Sequence, residues 1–209
     1  MASRRVQPTV LGLTGPTACG KTTVGDLLLR LGALDRIDTD RVVHRLLAGG
    51  DTADRVVDAF GRDILDSDGR ISRRKLAAEV FSNPAALEHL EAIVHPAVRN
   101  VVREDLRNLH NRPGIVVIDA VKLLQSDLLP LCGAVWVVQC DRHVELRRLM
   151  GIRAMTEDEA LARLAAQPSF DHPSVTAVIH NNGSHADLEA RVTALWTGLL
   201  DGQHLTPSP

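Results

Sequence analysis

Gly15-Pro16-Thr17-Ala18-Cys19-Gly20-Lys21-Thr22 fits G-x-x-x-x-G-K-[ST], the pattern of a phosphate-binding loop. The apolar run Val10-Leu11-Gly12-Leu13 precedes it and reads as a strand. Thr23-Val24-Gly25-Asp26-Leu27-Leu28-Leu29-Arg30-Leu31 follows with helical spacing, and Gly32 stands where a helix stop belongs. Strand, glycine loop and helix together give the pattern a physical meaning. Glycines let the backbone curl so that successive N–H groups face one phosphate chain. The helix starting near Gly20 and Lys21 adds the positive end of its dipole. Lys21 is expected to reach the β and γ phosphates of ATP, and the Thr22 hydroxyl to ligate Mg2+. Gly15, Ala18, Cys19, Gly20 and Thr23 complete the expected ATP-binding set on this stretch. A turn that only joins strand to helix is the plainer reading, and the flanking pattern argues against it. The chain has lysine only at 21, 75 and 122, so the loop holds one of three. A compact ammonium on a thin stem suits that position.

At 209 residues the chain is expected to form one domain, or one core with insertions. An apolar fraction of 44% suits a full globular core. A net charge of −2 argues against a general nucleic-acid binder. Tyrosine is absent, and Phe60, Phe81, Phe170, Trp136 and Trp196 are the only aromatic rings, so base-stacking platforms are scarce. Cys19, Cys132 and Cys140 are odd in number and lack metal-ligand spacing. They read as reduced thiols in a cytoplasmic protein, with Cys19 either oxidation-sensitive or small-residue filler. No apolar run is long enough for a membrane span, and the first seven residues are too short and polar for a signal peptide. The expected partners are small molecules, with no nucleic acid and no membrane, for a monomer or weak homo-oligomer.

Beyond the first helix, Ala33-Leu34-Asp35-Arg36-Ile37-Asp38-Thr39-Asp40 reads as a short strand ending in two carboxylates. The C-terminal edge of an open parallel sheet faces the ligand. Thr39 or Asp40 could equally cap a helix over 41–47. Residues 51–112 carry little strand signal and read as a helical insertion. Its helices are expected over 52–60, over 73–81 and from Asn83-Pro84 onward, with Pro96 kinking or breaking the last after His95. Ile115-Val116-Val117-Ile118-Asp119 reads as a buried strand ending in an acid, the layout of a Walker-B-like carboxylate near Mg2+. Asp119 as a simple cap is the alternative. Further strands are expected over 134–138 and 175–179. Between them lie a basic helix over 142–150, a joint at 151–154, and a helix opened by the capping box Thr156-Glu157-Asp158-Glu159. Arg148, Arg153 and Arg163 could close over triphosphate as a lid. The expectation is an α/β, three-layer P-loop NTPase fold with a five-stranded parallel sheet, a helical insertion and a lid.

These residues resemble the dephospho-coenzyme A kinase family over nearly the whole chain. The likeness rests on Leu13 to Thr22, Ile37-Asp38-Thr39-Asp40 with His44, and Asp68-Gly69-Arg70-Ile71-Ser72-Arg73. It continues through Val80-Phe81, Leu90 to Pro96, Arg163-Leu164-Ala165-Ala166-Gln167, and Ile179 to Gly183. The resemblance implies phosphoryl transfer from ATP to the ribose 3′-hydroxyl of dephospho-coenzyme A. That is the last step of coenzyme A synthesis, with Mg2+ as cofactor. It implies a nucleotide core over 8–40, 113–141 and 169–201, a substrate-binding insertion over 41–112, and a lid over 142–168. It places the catalytic carboxylate on Asp40, puts Arg73, His95 and Arg99 in the substrate-facing helices, and puts Arg163 and Gln167 on the lid side. The family's lid arginine after Arg148 aligns with Ile152, so Arg153, one place along, is expected to supply that charge as a catalytic group beside Lys21 and Asp40, with Arg148 on ATP. The expected substrate set is Asp40, Arg73, His95, Arg99, Asp119, Arg163 and Gln167, and the loop and strand readings give Thr22 and Asp119 as the expected metal ligands. The chain departs from the family pattern at Val121, Lys122, Gln125, Ile152 and His180. Another small-molecule kinase with a different hydroxyl acceptor, or a nucleotide-binding homologue without turnover, are the alternatives.

Overall fold

The computed structural model describes residues 8–81, 83–153 and 155–202; the side chains of Phe81, Ile152 and Arg153 lie outside that description. The chain divides into two units. The first contains residues up to Ile37 and from Leu109 onward; the second is Asp38–Asn108.

The first unit is built on strands β1 (Thr9–Thr14), β2 (Asp35–Asp38), β3 (Ile115–Asp119), β4 (Ala134–Gln139) and β5 (Ala177–His180). They form one parallel sheet in the order β2-β3-β1-β4-β5. The expected five-stranded α/β sheet is present, with β5 beginning two residues later than the apolar run suggested. β3 is buried at every residue, as a central strand covered on both faces must be. Helices α1 (Lys21–Arg30) and α8 (His185–Leu200) pack together over one face. There Leu11, Leu13, Val117, Trp136 and Val138 alternate into a core with Val24, Leu27, Leu28, Val192 and Trp196. On the other face the short turn Leu123–Gln125 packs against β1, where Gly12 leaves room for Leu123.

The register brings the chemistry-bearing ends to one edge. Leu13 pairs with Asp119 on one side and Trp136 on the other, so β1, β3 and β4 finish together. Helices α6 (Arg142–Arg153) and α7 (Glu157–Ala165) follow β4. They share a small core of Leu149, Ala160 and Leu164, against which Ala18 of the glycine loop packs. The joint expected at 151–154 is therefore later than read: α6 continues through Gly151 to Arg153. The capping box at Thr156 and Glu159 is formed.

The second unit holds α2 (Thr39–Leu47), α3 (Asp51–Phe60), α4 (Arg73–Phe81) and α5 (Pro84–Asn108). Helices α2, α3 and α4 each pack against α5. Asp38, rather than Thr39 or Asp40, caps α2, accepting from the Asp40 and Arg41 N–H groups. Asn83 caps α5 through Ala86 N–H. Of the kink or break expected at Pro96, the break does not occur: α5 is one helix through it. Ile93, Val94, Val98 and Val102 are buried on both sides of the proline, and that burial outweighs one missing backbone bond.

The reduced-thiol reading is also corrected. Cys19 and Cys140 form a disulfide, and Cys132 alone is a free thiol among the described residues. Spacing could not show this, because the pairing is made by the fold across 121 residues.

Candidate active site

The glycine loop leaves β1 at Thr14 and enters α1 at Lys21. Gly15 has φ 139°, and a Cβ there would collide with the Val138 carbonyl of β4. Gly20 has φ 98° at the α1 N-cap, where a Cβ would meet the Asn181 amide. Only glycine suits both positions. Ala18 also has a positive φ of 64°. No side chain caps α1, so its first N–H groups remain available to an anion.

Lys21 Nζ donates to the carbonyls of Gly15 at 2.7 Å and Pro16 at 2.9 Å. The ammonium is thus parked at the loop itself. Thr22 is exposed, and Thr23 is half-buried behind it. Asn181, buried just past β5, donates from Nδ2 to the Cys19 carbonyl at 2.9 Å. Arg148 reaches from α6 to donate to the carbonyls of Ala18 (3.4 Å) and Asn181 (3.2 Å). Gln167, just past α7, accepts from the Thr17 N–H at 3.0 Å and donates to Glu145 at 2.6 Å. Helices α6 and α7 are therefore tied to the loop by one guanidinium and one amide. Burial pushes the Glu145 carboxyl above its usual range, and the Gln167 bond and the charges of Lys21 and Arg142 partly offset that.

Asp119 closes the other side. Its Oδ2 accepts from Arg36 Nε at 3.1 Å and Nη2 at 2.7 Å, and both side chains are only 9% exposed. Arg36 also donates to Asp26 at 2.7 Å and to the Thr22 carbonyl at 3.3 Å. One guanidinium thus bridges the start of α1 and the end of β3. A Cβ at Gly25 would strike it, so that glycine makes the passage for Arg36. Arg36 holds Thr22 by its backbone carbonyl, so the exposed Thr22 hydroxyl and the Asp119 carboxylate remain an oxygen-only donor set of the kind a hard cation such as Mg2+ takes.

In the second unit Asp40 is exposed in the first turn of α2 and Arg73 is exposed at the start of α4. His95 and Arg99 lie one turn apart on α5, His95 exposed and Arg99 half-buried. Arg163 is exposed on α7. The side chain of Arg153 lies outside the described residues.

Comparison with known proteins identifies the family. The dephospho-CoA kinase family model matches residues 9–187. A dephospho-CoA kinase of Geobacter sulfurreducens is 38% identical over 192 residues, covering 90% of this chain and 96% of that protein. The chain belongs to the dephospho-CoA kinase family. A Thermus thermophilus protein of known crystal structure superposes with a TM-score of 0.76 at 31% identity, over 92% of this chain and 98% of that one. A dephospho-CoA kinase from Campylobacter jejuni shares the fold, with a TM-score of 0.62 at 23% identity over 92% and 97% of the two chains.

Three groups around this dephospho-CoA kinase loop escaped the sequence reading. Arg36 sat unremarked between two acids; its ion pairs need the sheet to form. Asn181 entered only within the stretch Ile179 to Gly183, with no role of its own. Glu145 entered only as part of a basic helix, although it is 6% exposed. The family departures at Val121 and Gln125 find local partners: Thr14 donates to the Val121 carbonyl, and Gln125 donates to the Ser169 carbonyl.

Proposed function

We propose that the chain transfers the γ-phosphoryl group of ATP to the ribose 3′-hydroxyl of dephospho-coenzyme A, giving coenzyme A and ADP. The observation that carries this reading is the preformed loop, with Lys21 at its mouth, in a member of this family. Backbone N–H groups of residues 15–22 would cradle the phosphates, with Lys21 leaving the Gly15 and Pro16 carbonyls for the more negative β and γ oxygens. Arg148 already stands at the loop on the Ala18 carbonyl and is placed to add charge there. Thr22 and Asp119 would hold Mg2+, which supplies charge neutralisation on the transferring phosphoryl group.

Asp40 is assigned to orient or deprotonate the attacking hydroxyl. Arg73, His95, Arg99, Arg163 and Gln167 are assigned to the acceptor, with residues 41–112 as its binding insertion and 142–168 as the lid. Arg153 is assigned to the transferring phosphoryl group. ATP as donor and a nucleotide-like acceptor fit a cytoplasmic reaction between small molecules.

The test is ADP release from ATP with a panel of hydroxyl acceptors. Turnover with dephospho-coenzyme A, and product phosphorylated at the 3′ position by NMR, is the expected result. Turnover only with a different acceptor, or with none, would overturn the reading.

A further inference from the structure

Cys19 immediately precedes Gly20, the N-cap of α1, so its sulfur hangs from the phosphate loop itself. Cys140 immediately follows β4. The two are bridged with Cα atoms 5.3 Å apart. Cys19 is fully buried in the core beneath α1, and Cys140 is half-buried at its margin. The bridge therefore grips the loop from the core side.

Its grip falls on a loop that needs one. Ala18, the next residue back, has a φ of 64°, a region unfavourable to an L side chain unless the surroundings impose it. Around it the loop is held by non-covalent contacts, among them the hydrogen bonds of Asn181 to Cys19, Arg148 to Ala18, Thr17 to Gln167 and Lys21 to Gly15 and Pro16, and the packing of Ala18 on Leu149, Ala160 and Leu164. The disulfide is the one covalent restraint among them.

We propose that Cys19–Cys140 is a thiol–disulfide exchange site, through which small-molecule thiols and disulfides set the nucleotide affinity of the loop. The bridged form is the tighter binder, because its loop is held in the cradle shape before ATP arrives. The proposal rests on the ATP-site reading above.

The exchange balances with two equivalents of a low-molecular-weight thiol. A thiolate attacks Cys140 Sγ, which belongs to the half-buried partner of the bridge, whereas Cys19 is fully buried. The protein S–S bond breaks and its electron pair leaves on Cys19 Sγ. That sulfur lies at the N-terminal end of α1, which favours a departing thiolate. Cys19 then takes a proton from water. A second external thiolate attacks the small-molecule sulfur of the mixed disulfide, forming the external disulfide and releasing Cys140. The protein is reduced by two electrons and the two small thiols are oxidised to one disulfide. The reverse sequence, driven by an excess of small-molecule disulfide, closes the bridge. A carboxyl oxygen of Glu145 lies within 4.8 Å of both sulfurs, so lingering thiolates there face a carboxylate and either protonate or reclose. Cys132 stays out of the exchange, its thiol pushed up to about 12 by burial.

The test begins with a thiol count in denaturant on full-length protein treated with oxidised glutathione. One thiol per chain is expected, and three after reduction. ADP binding in Mg2+ buffer is then measured by calorimetry on both forms. The reduced form is expected to bind at least about threefold more weakly, with recovery on reoxidation. Cys140→Ser should match the reduced form and ignore thiols. Hydrogen exchange of the 15–22 amides, without nucleotide, should be slower in the bridged form. Three thiols after oxidation, or equal ADP affinity and equal exchange in both forms, would overturn the proposal. If neither form binds ADP, the ATP-site reading itself falls and this proposal falls with it, whatever the thiol count.

Discussion

Lys21 shows how one side chain can be essential to a reaction and marginal to the fold. It donates to two carbonyls of its own loop, and its charge partly offsets the burial of the Glu145 carboxyl. Lys21→Ala is expected to lower kcat/KM by at least about a hundredfold, the scale of losing one preorganised charge at a transition state, with Tm nearly unchanged. Steady-state rates beside a melting curve check it. Arg36 is the opposite case. It and Asp119 are 9% exposed each, so removing Arg36 takes from a buried carboxylate the guanidinium that gives it two hydrogen bonds. Arg36→Ala should cost about 3 kcal/mol in urea unfolding. The double variant with Asp119→Asn should cost less than the sum of the singles, and an additive result would show the pair to be uncoupled. Glu145 carries a pH signature. Its carboxyl is held above the ordinary 4.5 in the folded state, chiefly by burial. The folded state therefore binds that proton more tightly than the unfolded state. Stability from this group is greatest below the unfolded value and is lost as pH rises through the folded one. Glu145→Gln should accordingly have the higher Tm at pH 7–8, with the advantage fading toward pH 4. An advantage that grew on acidification would contradict the assignment.

Among the elements, the ones legible in the sequence were those whose cause is local. The glycine loop, the Thr156 and Asn83 caps and the buried β3 and β4 runs follow from side-chain types at short spacing. What escaped was decided across the fold. Pro96 read as a breaker because the missing N–H is a local fact, whereas the burial of Val94 and Val98 around it is not. The Cys19–Cys140 bridge and the Arg36–Asp119 pair join residues 121 and 83 apart, and no periodicity encodes either. The same distinction bears on the lid. Helix α7 forms from its own capping box, but beyond the packing of Ala18 its hydrogen-bonded hold on the loop runs through one amide, Gln167 between Thr17 and Glu145. Gln167→Ala removes the acceptor of a loop N–H and one partner of a buried carboxyl. KM for ATP is expected to rise several-fold, with a smaller loss in kcat, because the loop must then be ordered at the expense of binding energy. A loss confined to kcat would instead place Gln167 on the transferring group.

At the scale of the whole molecule, the chain divides most of the groups proposed for its two ligands by unit, with Arg163 and Gln167 of the first unit the exceptions on the acceptor. Every group around the phosphate loop belongs to residues up to Ile37 or beyond Leu109, whereas Asp40, Arg73, His95 and Arg99 belong to the inserted Asp38–Asn108. The insertion leaves the sheet at the end of β2 and returns before β3, so it can change its ligand without disturbing the central strands. Asp40 is suited to chemistry rather than to holding the helix, since Asp38 already accepts the first N–H groups of α2. If the units divide the ligands as proposed, the variants must divide the kinetics. Asp40→Asn should lower kcat by at least about a hundredfold while the ATP dissociation constant stays within about twofold. Arg73→Ala and His95→Ala should raise KM for dephospho-coenzyme A by about tenfold, the loss of one charge-assisted contact, again without moving ATP affinity. ATP affinity can be read alone, by calorimetry without acceptor, so the two effects are separable. A matched loss of ATP affinity in any of these three variants would mean that the insertion also holds the nucleotide. A fall in Tm with unchanged kinetics at permissive temperature would leave Asp40, Arg73 or His95 as a structural residue only.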